Sequence, residues 1–203
     1  MTRRVLHPGA LASGDTYKLL IGLVVPRPIG WIGSVDASGH RNLAPFSFFN
    51  VVAAHPPTVM FSPLYSRGSR KDTLANVEET GEFTVNVVSV ELVERMNVTS
   101  GRYPSDVDEF ELAGVTSQAA TRVRAPLVSE APAGLECVVS RLVPVGDPPS
   151  GSTVVMGEVV AFHIREEILD GTRIDQVGLD AVGRMGGPSY TRTRDQFEMQ
   201  RPV

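Results

Sequence analysis

Cysteine is almost absent from this sequence, and its scarcity excludes two kinds of structure. Cys137 is the only cysteine in 203 residues, so the chain can form no internal disulfide. Zinc sites built on several thiolates are excluded for the same reason. The four histidines are scattered without the spacing of metal ligands, so we expect no metal site. A single thiol fits a reducing compartment.

Long hydrophobic runs and an excess of positive charge are also missing. No segment approaches the ~18 consecutive apolar residues of a membrane helix, and the basic start of the chain lacks the apolar core of a signal peptide. The formal net charge is −4 at pH 7, whereas nucleic-acid binding requires clustered basic surface. We therefore expect a cytoplasmic protein that binds neither a membrane nor nucleic acid.

The common nucleotide and hydrolase motifs are absent as well. The sequence contains no Gly-x-Gly-x-x-Gly between a strand and a helix, and no Gly-x-x-x-x-Gly-Lys-Ser/Thr loop. It also lacks the Gly-x-Ser-x-Gly turn of serine hydrolases. A Rossmann site, a P-loop and an α/β-hydrolase nucleophile are thus excluded.

The chain does contain a series of strand-like segments. Residues 29–35 predict a strand, Asp36–Gly39 has the composition of a hairpin turn, and residues 41–52 predict the returning strand. Later apolar segments predict strands at 58–61, 83–88, 135–143 and 153–164. Short helices are predicted at 17–23, from about Ser69 to Gly81, and at 90–96.

This pattern predicts one mainly β domain spanning residues 1–203. Residues 1–12 form a loose N-terminal arm in this prediction, and residues 191–203 form a polar C-terminal tail. The returning strand is rich in phenylalanine, and we expect at least two of Phe46, Phe48 and Phe49 to pack in the core.

The start of the second predicted helix has the composition of an anion site. Arg70 and Lys71 precede Thr73, and free backbone N–H groups at a helix start attract negative charge. Cationic side chains and a hydroxyl add further donors. The alternative is a solvated Arg-Lys pair with Thr73 merely in the first helical turn, and spacing alone favours that alternative.

Five short segments, taken together, favour the anion site over the solvated Arg-Lys pair. They are Pro26–Ile32 (PRPIGWI), Asn42–Asn50 (NLAPFSFFN), Lys71–Asn76 (KDTLAN), Gly157–Val159 (GEV) and Gly183–Tyr190 (GRMGGPSY). In this order they resemble the flavin reductase-like, FMN-binding split-barrel family, in particular its flavoredoxin-like branch. Each segment is weak evidence by itself, but the set covers most of the chain.

The resemblance implies a Greek-key split β-barrel with a few short helices, working as a homodimer with FMN near the subunit interface. It implies that Arg70, Lys71 and Thr73 bind the FMN phosphate, with Ser62 assisting. The residues implied around the isoalloxazine ring are Ala44, Pro45, Phe46, Ser47 and Asn50.

Four further residues are candidates for the ring end of this site. Trp31 is expected either to stack near the ring or to be a core tryptophan. Arg27, fixed between two prolines, would be a cation near the reduced flavin. Arg184 and Tyr190 would close the site, in their own subunit or in the partner's.

The implied activity is that of an FMN-dependent oxidoreductase. Such an enzyme passes reducing equivalents from NADH or NADPH through bound FMN to a flavin or another acceptor, for example a monooxygenase. The redox chemistry belongs to the cofactor, so no side chain is predicted as catalytic.

One departure from the family pattern supports a second hypothesis. Many members carry Gly-Asp-His before the Gly-Glu-Val segment, whereas this chain has Ser150-Gly151-Ser152. The missing histidine favours a flavoredoxin-like electron-transfer protein that is reduced by a redox partner protein. A third hypothesis is a cofactor-free barrel that binds another phosphorylated ligand.

Overall fold

The computed structural model describes residues 1–65, 71–147 and 149–202. Its strands, in chain order, are β1 (Gly30–Val35), β2 (Arg41–Phe46), β3 (Phe49–Ala54), β4 (Pro57–Phe61), β5 (Glu82–Val87), β6 (Ser117–Gln118), β7 (Leu127–Val128), β8 (Ala133–Val145), β9 (Ser152–Ile164), β10 (Leu169–Asp170), β11 (Arg173–Ile174), β12 (Val182–Arg184) and β13 (Tyr190–Arg192).

The helices are short and lie between or outside these strands. They are α1 (Ser13–Leu23), α2 (Asp72–Thr80), α3 (Val93–Val98), α4 (Glu109–Leu112) and α5 (Gln176–Leu179), with 3₁₀ turns at Pro8–Ala10, Val90–Leu92 and Glu166–Ile168. Across the described ranges, no helix has both the length and the apolar character needed to cross a membrane.

Seven strands form one antiparallel sheet in the order β2-β1-β5-β8-β9-β4-β3. β2 and β3 follow each other in the chain but lie at opposite edges of this sheet. The two edges nevertheless approach, because Phe46 of β2 and Phe49 of β3 both pack against the same interior cluster. The sheet is therefore a barrel: side-chain packing closes it between β2 and β3, which form no backbone hydrogen bonds to each other. The expectation of a split barrel is confirmed.

Aromatic side chains fill the barrel interior. Phe61 lies between Phe46 and Phe83, with ring centroids 5.1 Å apart in each pair. Phe46 is 8% exposed and Phe49 packs against this cluster, so the prediction that at least two of the three phenylalanines are core residues is confirmed. Phe48 is half-buried and belongs to neither core cluster.

A second apolar cluster covers the outside of β1 and β2. Trp31 and Leu43 pack there against Met96 of α3 and Phe110 of α4. These short helices thereby fix the loop after α3 beside the edge strand β2, where the candidate site lies.

A buried carboxylate attaches the segment before β7 to the sheet. Glu136 of β8 has no exposed surface and accepts hydrogen bonds from the backbone N–H groups of Thr121, Arg122 and Val123, at 2.8, 2.5 and 3.1 Å. The Thr121 hydroxyl and the His163 ring also contact this carboxylate, at 2.7 and 2.5 Å. These partners satisfy a charge that burial would otherwise destabilise.

Two sequence-based expectations need correction. Residues 41–52 do not form one returning strand: β2 ends at Phe46, and β3 starts at Phe49 on the far edge of the sheet. The predicted helix 90–96 is a 3₁₀ turn, Val90–Leu92, followed by α3. The first error arises because residues 47 and 48, where the chain leaves β2 for the opposite edge, contain neither glycine nor proline, so local sequence gives no signal.

Candidate functional site

The start of α2 offers unpaired backbone donors. Lys71 is the N-cap residue, and no side chain caps the helix. The helix ends at Gly81, whose φ of 72° is the left-handed conformation that glycine adopts readily, as the sequence predicted. The Leu74 N–H donates to Lys71 O at 2.9 Å, and no described side-chain oxygen competes for the N–H groups of Asp72 and Thr73, which can therefore bind an anion beside the Lys71 ammonium group.

Thr73, in the first turn of α2, is oriented by a buried polar network. The Asn42 side-chain amide donates to Thr73 Oγ1 at 2.8 Å and to Ser34 Oγ at 3.3 Å. The Asn76 amide donates to the same serine at 3.1 Å. Since Thr73 Oγ1 accepts from Asn42, its own hydrogen remains available to donate.

A cavity of about 260 Å³ lies at this helix start, and we call it the α2 cavity. Lys71 and Thr73 line it together with Ala44 of β2, Arg102 from the loop after α3, and Glu109 of α4. Of the residues predicted to bind phosphate, Lys71 and Thr73 are therefore brought together. Arg70 lies outside the described residues.

A second cavity, of about 410 Å³, lies beside the C-terminal hairpin β12–β13, and we call it the tail cavity. The predicted residues Arg27, Pro45, Ser47, Arg184 and Tyr190 all line it. Apolar and aromatic walls come from Tyr17, Ile21, Ile29 and Met96, and Asn97 and Ser100 add polar groups. Apolar walls with a few polar groups are typical of small-molecule sites.

The two cavities adjoin along the edge strand β2. Ala44 lines the α2 cavity and the next residue, Pro45, lines the tail cavity. On the opposite wall Ser100 lines the tail cavity, whereas its neighbours Thr99 and Gly101 line the α2 cavity. An elongated ligand could thus occupy both. Because β2 is an edge strand, it tolerates Pro45, which cannot donate a ladder hydrogen bond.

Arg27 is a buried residue that holds the elements around the tail cavity together. The residue is 6% exposed, and its Nη1 donates to Ile21 O at 2.7 Å and Val24 O at 2.6 Å at the end of α1. Its Nη2 donates to Met185 O at 3.0 Å, and its Nε approaches Ser47 Oγ at 3.4 Å. Burial lowers the pKa of this guanidinium, and the positive charge of Arg184 lowers it further. Through these hydrogen bonds Arg27 joins the end of α1, the residue that follows β2 and the segment after β12.

Arg184 and Tyr190 form one wall of the tail cavity in their own chain. The Arg184 guanidinium carbon lies 4.4 Å from the centroid of the Tyr190 ring, and Nη2 donates to Gly187 O at 2.7 Å. The two residues are opposite each other in the β12–β13 hairpin. Reciprocal backbone hydrogen bonds of 3.0 and 2.8 Å join Arg27 and Arg184, which attaches the hairpin to the segment before β1.

Four predicted site residues line neither cavity. Trp31 is fully buried and donates from Nε1 to Thr99 Oγ1 at 2.9 Å, so its surroundings are those of the core alternative. Phe46 lies in the barrel interior. Asn50 is exposed on β3, and Ser62 donates its backbone N–H to Phe48 O at 2.8 Å.

Several cavity residues were not selected from the sequence, and two of them, Asn42 and Glu109, make contacts that shape the α2 cavity. Asn42 stands in the quoted segment 42–50, and its register two residues before Ala44 was the available signal. Glu109 lies in a stretch, residues 99–133, that has no clear periodicity, and only the fold brings it to the α2 cavity. Nothing in the sequence around Glu109 indicates that its side chain lies near the predicted phosphate position.

Comparison with known proteins identifies the family of the chain. Residues 22–178 match the family described as "Flavin reductase like domain". The chain belongs to this family. Nitrilotriacetate monooxygenase component B from Bacillus cereus is a similar solved structure, with 35% identity, a TM-score of 0.94, and coverage of 98% of this chain and 100% of that chain.

Two further solved structures are similar over nearly the whole chain. The 2-nitrobenzoate 2-nitroreductase NbaA from Pseudomonas fluorescens has 31% identity and a TM-score of 0.87, with 98% and 97% of the chains covered. A putative flavin reductase with a split barrel domain from Shewanella frigidimarina has 25% identity and a TM-score of 0.83, with 97% and 96% covered. Flavoredoxins share the fold at 20% and 22% identity. The predicted resemblance to flavin reductases and flavoredoxins is confirmed.

The donor set of the paired cavities fits a flavin mononucleotide. The α2 cavity provides an ammonium group, an oriented hydroxyl and uncapped helix N–H groups, which suit a phosphate. The tail cavity provides aromatic and aliphatic walls, which suit a flat ring system. Two carboxyl groups of the α2 cavity, those of Asp72 and Glu109, oppose a phosphate when they are ionised.

Proposed function

We propose that the chain binds FMN along β2 and acts as an FMN-dependent oxidoreductase of the NAD(P)H:flavin reductase type. In this proposal Lys71, Thr73 and the start of α2 bind the phosphate. Ala44, Pro45 and Ser47 line the path of the ribityl chain and the ring. The observation that carries the proposal is that consecutive residues of one edge strand line a donor-rich cavity and a second cavity with aromatic and aliphatic walls.

The chain's own residues would orient the cofactor and limit access of water to it. Arg184 and Tyr190 cover one side of the tail cavity, and Arg27 fixes that side to α1 and β2. When bound, FMN supplies the two-electron redox chemistry between a nicotinamide and an acceptor. A cation at Arg184 would favour negative charge in the tail cavity, and thus a reduced, anionic ligand.

Purified protein tests this proposal directly. We expect a yellow protein, or a colourless one that takes up added FMN, with the flavin absorbance bleaching rapidly when NADH or NADPH is mixed in a stopped-flow instrument. A protein that stays colourless with excess FMN would contradict FMN binding. It would favour the hypothesis of another phosphorylated ligand.

The second candidate function is electron transfer of the flavoredoxin type. It is supported by residues 150–152, where the family's histidine is missing: Ser152 is 9% exposed, begins β9 and lines neither cavity. If this function is correct, bound FMN will not bleach with either nicotinamide but will be reduced by a protein donor. The same stopped-flow experiment therefore separates the two functions.

A homodimer and a monooxygenase acceptor belong to the same proposal. Large apolar side chains are exposed on the sheet, namely Val51 (69%), Val138 (43%), Val160 (39%) and Phe162 (61%), and a second copy could cover them. The Bacillus cereus neighbour is named as a monooxygenase component, which supports such an acceptor. Light scattering on a gel-filtration column should give twice the chain mass. We keep the cytoplasm as the expected location.

A further inference from the structure

A buried carboxyl group shares the α2 cavity with the proposed phosphate donors. Glu109 is 6% exposed and lines the cavity together with Lys71 and Thr73. An ionised carboxylate there would repel a phosphate, because two anions in a poorly hydrated space interact strongly. The cavity therefore combines groups that favour an anion with a buried carboxyl whose charge would oppose it, and Asp72 adds a second negative charge.

The position of Glu109 is fixed by the fold. Asp108 caps the start of α4 by accepting from the Phe110 N–H at 2.9 Å, which makes Glu109 the first helical residue. The backbone N–H of Leu43 donates to Glu109 Oε2 at 3.1 Å. This contact ties the carboxyl group to the edge strand β2, so it cannot leave the cavity without breaking a buried hydrogen bond.

No described cation forms an ion pair with Glu109. Burial raises the pKa of this carboxyl, the Leu43 N–H opposes that rise, and the negative charges of Asp72 and Asp108 add to it. The charged and titratable groups around it come from four elements: Arg41 on β2, Lys71 and Asp72 at the start of α2, Arg102 and Tyr103 after α3, and Asp108 and Glu111 around α4.

Arg41 does not compensate Glu109. Its Nε donates to Asp108 Oδ2 at 2.6 Å, and its Nη2 lies 3.3 Å from Glu111 Oε1. Lys71 is the cation at the helix start, and Asp72 beside it carries the opposite charge. With Glu109 ionised, a doubly charged phosphate in this cavity would meet the carboxylates of Asp72 and Glu109 as well as the cations Lys71 and Arg102.

We propose that Glu109 is a proton-carrying contact for the phosphate, so that binding of the flavin phosphomonoester is coupled to uptake of one proton by this carboxyl group. The inference rests on the proposed FMN site. The proton comes from solvent, and the neutral carboxylic acid donates a hydrogen bond to a phosphate oxygen where the carboxylate would repel it. The residue thereby determines the charge state in which the site accepts its ligand.

The test compares FMN binding by the wild type and by Glu109→Gln from pH 6 to pH 9. The glutamine keeps an oxygen for the Leu43 N–H but has no charge at any pH. We expect the ratio of the wild-type Kd to the variant Kd to rise with pH, by up to tenfold per pH unit where free Glu109 is ionised. The titration of the FMN phosphate itself, with a pKa of about 6, affects both proteins equally.

Glu111→Gln is the matched control, because Glu111 lies on the same helix with 79% of its side chain exposed and does not line the cavity. Its Kd ratio to the wild type should stay constant with pH. With riboflavin, which lacks the phosphate, the Glu109→Gln ratio should also stay constant. A pH-independent ratio for FMN with Glu109→Gln would overturn the inference.

A second measurement does not depend on the variant folding. Calorimetry of wild-type protein in buffers of different ionisation enthalpy counts the protons taken up on binding. Riboflavin 5′-sulfate serves as the ligand, because its single charge does not titrate in this range. We expect proton uptake approaching one as pH rises, and none at any pH would contradict the role of Glu109. If no flavin ester binds at all, the proposed FMN site itself fails instead.

Discussion

The Asn42 amide donates to Thr73 Oγ1 at 2.8 Å and thereby leaves the threonine hydrogen free to point at a ligand. Thr73→Val removes that donor at nearly constant volume, and it also leaves the Asn42 amide without this partner. We expect FMN binding to weaken by about 1–3 kcal/mol, the usual effect of losing a hydrogen bond to a charged group. Isothermal calorimetry measures the change.

Thr73→Ser and Thr80→Val are the controls for this prediction. The serine keeps the hydroxyl and should bind FMN nearly as well as the wild type. Thr80 lies in the last turn of the same helix, where its Oγ1 donates to Asn76 O at 2.8 Å, far from the cavity end. Equal loss of affinity in Thr73→Val and Thr80→Val would show that the effect comes from helix stability.

Lys71→Ala should weaken FMN binding and reduce its dependence on salt. The ammonium group lies at the start of α2, and its attraction to a phosphate is screened as ionic strength rises. A loss of about 1–3 kcal/mol is expected at low salt. Lys18→Ala is a matched control, since Lys18 is the other lysine of the chain and its side chain is 76% exposed. Unchanged affinity in Lys71→Ala would place the phosphate elsewhere.

Glu136 should make the protein sensitive to strong acid. Burial opposes ionisation of this carboxyl, but hydrogen bonds from Thr121, His163 and Arg122 outweigh it and lower its pKa to about 2. A carboxyl with a depressed pKa stabilises the fold above its unfolded value of about 4.3 and loses that effect as pH falls through its folded value. We expect a loss of about 3 kcal/mol of unfolding free energy between about pH 5 and 2 from this group.

Denaturant unfolding at several pH values checks this expectation. Glu136→Gln should be less stable than the wild type at pH 7, and its stability should fall less steeply below pH 5. Glu158→Gln, on the neighbouring strand β9 and exposed, should follow the wild-type curve. Parallel acid profiles for wild type and Glu136→Gln would assign the acid sensitivity to other carboxyls.

Phe61→Ala should destabilise the barrel by about 3–5 kcal/mol, the usual cost of emptying a buried aromatic position. Phe61 has no exposed surface and lies between Phe46 and Phe83. Phe197→Ala, at a position that is 84% exposed, should leave the unfolding free energy within about 0.5 kcal/mol of the wild type. A melting temperature of Phe61→Ala equal to that of the wild type would contradict the packing.

Much of the fold could be predicted because its signals are local. The hairpin β1–β2 follows from the turn at residues 36–39, and the end of α2 follows from Gly81. The placement of β2 and β3 at opposite sheet edges could not be predicted, because residues 47 and 48 carry no turn signal and the arrangement depends on packing around Phe61. Secondary-structure patterns do not specify such long-range relationships.

In the candidate site, too, the local features could be predicted from the sequence and the long-range contacts could not. Lys71 and Thr73 are two positions apart in the sequence, and the helix start that brings both to the α2 cavity is a local feature. Trp31 was expected equally at the ring or in the core, and only the packing of α3 over β1 placed it in the core. Glu109 could not be predicted, since nothing near it in the chain indicates that α4 brings it to β2.

The hydrogen bond from Arg27 to Met185 spans 158 positions of the chain. One wall of the tail cavity is therefore built from a segment far downstream in the chain from the strands around the α2 cavity. A nascent chain that ends before Val182 contains every element around the α2 cavity but lacks Arg184 and Tyr190. If FMN binds as proposed, stable insertion of its ring requires the hairpin β12–β13 to have paired already with the segment before β1.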